Sequence, residues 1–242
     1  MIREFEGIIV SETTYGESSK ILNILTDTEG IIGVMAKGAK KLKSPLRSVT
    51  EKFALIKFNV YYHEGKLSTL IQADVINPMR NIKTDITKIG YLTYICELAY
   101  QTAKQNSDNN IYKILKSTIL KIEDNLDPMI MTNILELKML DYLGVSIDLD
   151  HCIKCGKKTD IITINGDAGG YLCKDCRTNE IIYDMKTIKM FRLYYYVDID
   201  SISDLKISEE VENNINRILT DYYDRYTGLY LKSKDFLKKI TI

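Results

Sequence analysis

The sequence predicts an α+β chain: a small five-stranded barrel at the N-terminus, then a mainly α-helical domain interrupted by a loop that holds four cysteines. Three observations predict it. Apolar residues up to about Ile76 come in short β-branched bursts set apart by glycine turns, and those after Asn77-Pro78 recur at the helical period. Cys152, Cys155, Cys173 and Cys176 stand as two Cys-x-x-Cys pairs in a polar, turn-rich stretch.

The bursts are Gly7-Ile8-Ile9-Val10, Ile21 to Leu25, Ile31 to Met35, Phe53 to Tyr62 and Leu67 to Val75, and they read as five strands. Asp27-Thr28-Glu29-Gly30 and His63-Glu64-Gly65-Lys66 have the composition of hairpin turns. Between the third and fourth strands, Ser44-Pro45-Leu46-Arg47-Ser48-Val49 starts like a short helix with proline in its first turn. Five strands with a helix after the third predict an OB-fold barrel.

Beyond residue 78, Ile89, Leu92, Cys96, Ala99 and Ala103 fall on one arc of a helix, and Ile111, Ile114, Leu115 and Ile122 on the arc of the next. Cys96, the fifth cysteine, lies on the first of these stripes and reads as a small buried hydrophobe. Asp127-Pro128 opens a third helix, Met129 to Leu143, apolar around most of its circumference and closed at Gly144. Ile188, Phe191 and Tyr195 mark a fourth helix, and Val211, Ile215, Ile218, Leu219 and Tyr222 a fifth. The expected segments are 1–78 for the barrel, 79–150 and 181–242 for two parts of one helical domain that pack together, and 151–180 for the cysteine module.

Two Cys-x-x-Cys pairs separated by 17 residues have the spacing of a four-thiolate zinc site. Each pair makes a tight knuckle, and the intervening residues suffice for a small hairpin that brings the second pair alongside the first. Gly156 follows the first knuckle, and Gly169 and Gly170 precede the second. Disulfides would need an oxidising compartment, and Met1-Ile2-Arg3-Glu4-Phe5 lacks the apolar core of a signal peptide, so the expected location is cytoplasmic. A redox dithiol would place one pair at the start of a helix. His151 adjoins Cys152, but four thiolates complete a tetrahedral shell. The metal, one Zn2+ per chain, is therefore expected to be structural: a catalytic zinc keeps an open position and a nearby base. With two histidines in the chain, no His-x-Glu or His-Glu-x-x-His pattern occurs.

Charge gives the next clue. The chain carries 33 basic and 33 acidic residues, so no global field attracts a polyanion. Locally, Lys37, Lys40, Lys41, Lys43, Arg47, Lys52 and Lys57 lie between Gly30 and Val60 against the single acid Glu51. The run Lys37-Gly38-Ala39-Lys40-Lys41-Leu42-Lys43 follows the third strand, beside the region where OB-folds hold oligonucleotides. Charge alone fits phosphate contacts as well as it fits a solvated lysine loop. Tyr15, Phe58, Tyr61 and Tyr62 are candidate base platforms, with core packing favoured for most of them. Tyr194-Tyr195-Tyr196 reads as a helix face. Gly65-Lys66-Leu67-Ser68 lacks the upstream glycine of a P-loop, no Gly-x-Ser-x-Gly elbow occurs, and His63 has no nucleophile beside it. The residues point to a binding protein, not an enzyme.

In order along the chain, Gly7-Ile8-Ile9-Val10, Tyr15-Gly16-Glu17-Ser18-Ser19-Lys20-Ile21, Thr26-Asp27-Thr28-Glu29-Gly30, Ala36-Lys37-Gly38-Ala39-Lys40-Lys41, Ser44-Pro45-Leu46 and Gln72-Ala73-Asp74 resemble segments of the bacterial RecO family of DNA repair proteins. The likeness resumes at Cys152-Ile153-Lys154-Cys155-Gly156, at Gly169 to Cys176, and at Leu231-Lys232-Ser233-Lys234-Asp235-Phe236-Leu237. It implies a recombination mediator without a catalytic site. Such a protein binds single- and double-stranded DNA and anneals complementary strands. With RecR, it helps load RecA onto strands coated by single-stranded DNA-binding protein. The resemblance assigns phosphate contact to Lys37, Lys40, Lys41, Lys43 and Arg47, more weakly to Lys20, and an architectural metal to the four cysteines. It also implies association with the nucleoid. The alternative is a zinc-ribbon and OB-fold module that holds RNA in transcription or translation. A zinc-dependent nucleic-acid enzyme ranks below both.

Overall fold

In the computed structural model, residues 1–240 are described, apart from the side chain of Lys238. Five strands close the N-terminal barrel in the order β1-β2-β3-β5-β4: β1 Ile2–Tyr15, β2 Ser19–Thr26, β3 Ile31–Ala36, β4 Leu55–Tyr61 and β5 Ser68–Asn77. Neighbouring strands are antiparallel except β3 and β5, which run parallel at Val34–Ser68 and Met35–Thr69. The short helix α1, Leu46–Val49, lies between β3 and β4 as expected. Strand order and helix position are those of an OB-fold barrel.

The barrel core is built from alternate residues of each strand, among them Phe5, Ile9, Leu22, Ile24, Val34, Ile56, Phe58 and Leu70. Ile8 and Val10, which point the other way, are buried as well, because helix α3 (Ile86–Gln105) packs on β1. That double burial explains the unbroken apolar run at Ile8-Ile9-Val10. The run does not begin at a turn: β1 continues through Gly7 and starts at Ile2, pairing Arg3 with Val60 and Phe5 with Phe58 on β4. A Cβ at Gly7 would stand 2.6 Å from Ile24 Cγ2 and 2.9 Å from the Leu25 carbonyl oxygen, so glycine is needed there for close approach.

The chain forms two compact units. The first spans Met1–Asn125 with Leu231–Ile242 and adds to the barrel helices α2 (Arg80–Lys83), α3, α4 (Asn110–Glu123) and α8 (Lys232–Ile240). Within it, Glu6 of β1 accepts hydrogen bonds from Tyr112 Oη at 2.6 Å and Lys116 Nζ at 2.5 Å on α4. Burial works to raise its carboxyl, yet the Lys116 and Tyr112 donors together hold it below the ordinary range. Helix α8 packs along α3. Periodicity groups α3 and α4 with the later helices, whereas in the structure they are compact with the barrel.

The second unit, Leu126–Tyr230, contains α5 (Pro128–Tyr142), α6 (Met185–Tyr196), α7 (Glu209–Tyr226) and a three-stranded sheet. Asp127 caps α5 by accepting from the Met129 and Ile130 amides at 2.8 and 3.0 Å. Residues Ile130 to Leu137 are all buried, the polar Thr132, Asn133 and Glu136 included, so the helix is enclosed on every side. Helix α5 precedes the cysteine module in sequence and packs against α6 and α7, which follow it. On α6 the buried residues include Ile188, Phe191 and Tyr194; Tyr195 instead lies at the edge and donates to Asp141 at 2.9 Å.

Burial, then the carboxylate of Asp127 beside it, raise Glu212 of α7 to about 7, with Glu209 adding in the same sense. A carboxyl raised in the folded state binds its proton more tightly there than in the unfolded chain. Its contribution to stability is therefore full below pH 4.5, the ordinary value, and is lost as pH rises through about 7. The thermal midpoint of this unit is expected to fall across that window. The Glu212→Gln variant should flatten the fall, and a variant with the wild-type pH profile would show that the effect lies elsewhere.

Candidate metal centre and nucleic-acid interface

Strands β6 (Asp148–Cys152), β7 (Ile161–Asn165) and β8 (Gly170–Cys173) form the sheet of the cysteine module in the order β6-β8-β7. β7 and β8 are the hairpin expected between the two pairs, and β6 lies parallel to β8 with Cys152 beside Tyr171. Cys152 and Cys173 thus end adjacent strands pointing the same way, and both are fully buried. Each chain then turns tightly: the Gly156 amide donates to the Cys152 carbonyl at 2.8 Å and the Arg177 amide to the Cys173 carbonyl at 3.0 Å. Gly156 adopts φ +75°, which a side chain would disfavour. The turns return Cys155 and Cys176 to the same point from the outer side.

All four sulfurs lie within 4.8 Å of one another, with 3.7 Å between Cys155 Sγ and Cys173 Sγ. A disulfide would need about 2.05 Å, and all five cysteines are free thiols. A tetrahedral shell of metal–sulfur bonds near 2.3 Å has edges of about 3.8 Å, which the observed separation matches. The electrostatics agree. Burial opposes a charge on Cys152, yet the backbone amides of Cys173, Cys155 and Lys154 aimed at its sulfur bring it down to about 6. Cys176 is pushed up to about 12 by the Cys155 sulfur beside it, by burial and by the other two sulfurs. Four thiolates this close repel one another, and a bound cation would remove that cost. Lys157 spans the two knuckles, meeting Asp160 at 3.0 Å and Asp175 at 3.3 Å. His151 pairs with Asp148 at 3.3 Å and stays outside the sulfur cluster.

On the barrel, the basic run forms the loop between β3 and α1. Its backbone is tied to the β1–β2 turn: the Lys40 amide donates to the Ser18 carbonyl at 2.8 Å and the Gly38 amide to Ser19 Oγ at 3.2 Å. That turn is one of the loops through which OB-folds take oligonucleotides. Lys37, Lys40, Lys41, Lys43 and Arg47 are exposed, and among the described residues none of the five makes an ion pair. Lys20 differs: its ammonium meets Glu12 at 2.9 Å and the Thr50 carbonyl at 3.1 Å, binding β2 to its neighbours. Of the basic run's other members, Lys57 pairs with Glu4 at 2.8 Å and Lys52 lies over the Phe53 ring at 4.6 Å.

The aromatic candidates separate cleanly. Phe58 is buried in the barrel core, and Tyr62 packs against Phe5 with Arg3 over its ring and its hydroxyl on Glu29. Tyr15 and Tyr61 are 56% and 52% exposed. Tyr15 ends β1 beside the turn that the basic loop joins, which makes it the platform candidate adjoining that loop.

Family profiles cover nearly the whole chain: residues 1–79 match Recombination protein O N terminal, and residues 83–235 match Recombination protein O C terminal. The chain belongs to the RecO family. The DNA repair protein RecO of Listeria monocytogenes serotype 4a (strain HCC23) is 34% identical over 240 residues, 97% of this chain and 93% of the relative. That of Listeria innocua is 35% identical over 238 residues, 96% and 92%. That of Bacillus subtilis (strain 168) is 32% identical over 244 residues, 99% and 95%. Within the RecO segments, the N-terminal match holds the barrel with its basic loop, and the C-terminal match holds the four cysteines. No helix among the described residues is long and apolar enough to cross a membrane.

Proposed function

We propose that the protein is a recombination mediator in DNA repair that binds single- and double-stranded DNA along the basic loop of its barrel and anneals complementary strands. The observation that carries this reading is the set of unpaired cations at Lys37, Lys40, Lys41, Lys43 and Arg47 on a loop fixed to the β1–β2 turn, in a RecO-family chain. Phosphates of one strand replace the water around these ammonium and guanidinium groups and release counterions, so binding is insensitive to base sequence. Lys20, held by Glu12, has the smaller part. Two backbones held on one positive surface repel each other less, and pairing follows without nucleotide hydrolysis. With RecR as partner, the protein helps load RecA onto strands coated by single-stranded DNA-binding protein. The acidic tail of that coating protein is held by the helical domain. The protein works in the cytoplasm, at the nucleoid.

The four cysteines hold one structural Zn2+ per chain. Zinc suits a closed set of four thiolates, where the metal supplies cross-linking and charge balance. Cys152 and Cys173 fix it to the sheet, while the two knuckle turns bring Cys155 and Cys176 to it. The RNA-binding alternative is tested by titrating DNA and RNA strands of equal sequence: comparable or tighter binding of DNA is expected, and a strong preference for RNA would favour the transcription or translation module.

A further inference from the structure

Ser11, Lys52, Glu97, Tyr100, Lys232 and Ser233 line a cavity of about 430 Å3 in the first unit, where β1, the residues after α1, helix α3 and the start of α8 meet. Its one carboxylate, Glu97, is fully engaged by α8. It accepts from the Lys232 amide at 3.2 Å, from the Ser233 amide at 2.8 Å and from the Ser233 hydroxyl. The helix N-terminus and the acid thereby satisfy each other. What remains unmatched in the cavity is positive. Lys52, half-buried, and Lys232, exposed, make no ion pair among the described residues. Ser11 Oγ accepts from Asn23 at 2.8 Å and keeps its own proton to donate. Tyr100 Oη has no hydrogen-bond partner among the described residues and offers a second hydroxyl.

We propose that this cavity is a second phosphate site, in which Lys52 and Lys232 hold a phosphate group of a bound nucleic-acid strand and the Ser11 and Tyr100 hydroxyls donate to it. The assignment rests on the DNA-binding reading above and extends it. Lys52 follows Arg47 by five residues, just past α1, and the proposed path takes a strand from the basic loop to Lys52 and on to Lys232, which lines the same cavity. Helix α8, seated by Glu97, thereby adds its first turn to the binding surface of the barrel.

The test uses the full-length protein and a labelled thymidine oligonucleotide, with binding measured across a salt series. Lys52→Gln with Lys232→Gln should lower the slope of log affinity against log salt by about 1.4, one phosphate charge for each lysine at roughly 0.7 apiece on a single strand. Arginine at both positions should restore it, and the thermal midpoint should stay at the wild-type value. An equal loss on 5′-hydroxyl and 5′-phosphorylated strands assigns a backbone phosphate; a loss confined to the phosphorylated strand assigns a terminal one. An unchanged slope in the double variant, with the slope still lowered by charge reversal at Lys40, Lys41 and Lys43, would overturn this site and leave the basic loop in place. Unchanged slopes in both would remove the DNA reading itself.

Discussion

Stripping the metal from the four-cysteine centre is expected to unfold the β6–β8 module and lower the thermal midpoint of the Leu126–Tyr230 unit by more than about 10 °C. Structural zinc contributes roughly 10 kcal/mol or more of apparent binding energy in small domains, which rivals the whole stability of a typical one. About 3 kcal/mol already suffices for a shift of that size in a domain near 100 residues. The module has little else to hold it. Its buried residues are few, and without a cation the sulfurs of Cys155 and Cys176 crowd those of Cys152 and Cys173. The loss should spread, because the Tyr171 hydroxyl donates to the Ile188 carbonyl of α6 at 2.7 Å and Arg192 of α6 donates to the Leu149 carbonyl at 3.0 Å. Metal analysis should find one zinc per chain in the wild type and in Cys96→Ser, whose cysteine is buried on α3 outside the site, and none in Cys173→Ser. A retained midpoint after complete metal removal would refute the structural role.

Charge reversal of Lys40, Lys41 and Lys43 to glutamate is the second large effect. Taking three cations away from the phosphates of a single strand lowers the salt slope by about 2, which over the decade from 1 M to 0.1 M salt amounts to roughly 100-fold in affinity. Repulsion by the introduced carboxylates adds to that. The loss should be the same for every sequence, since phosphate contacts carry no base information. The fold should survive, because the three side chains are exposed and the loop is held by its backbone through Ser18 and Ser19. A reversal that leaves both slope and affinity unchanged would take the loop out of the account.

Much of the barrel is legible in the sequence because strand alternation and the turns at Gly30 and Gly65 leave local marks. The first half of β1 is not. Arg3, Glu4 and Glu6 mask the alternation, and Gly7 reads as a turn until its contact with Ile24 shows why a side chain is excluded there. The cysteine centre is legible from spacing alone, since two short turns and a hairpin are all that the spacing has to encode. Periodicity finds the long helices but misses α2, which is too short to show a stripe, and leaves out α8, although Phe236, Leu237 and Ile240 share one arc there. It also picks Tyr195 over Tyr194 for the buried face of α6, one residue from the observed one. The grouping of α3, α4 and α8 with the barrel depends on contacts such as Glu97 with Ser233, 136 residues apart, and no local pattern encodes those. For the same reason Lys52 shows in the sequence as part of a basic run, while its place beside Lys232 does not.

The expected action of the barrel is to hold DNA and thereby anneal strands. Its most direct test is annealing of two complementary oligonucleotides, each coated with single-stranded DNA-binding protein, across a salt series with the wild type and the Lys40, Lys41 and Lys43 reversal. Salt-sensitive annealing by the wild type that the reversal abolishes is the expected result. Absence of annealing with either protein, or annealing that the reversal leaves intact, would contradict it.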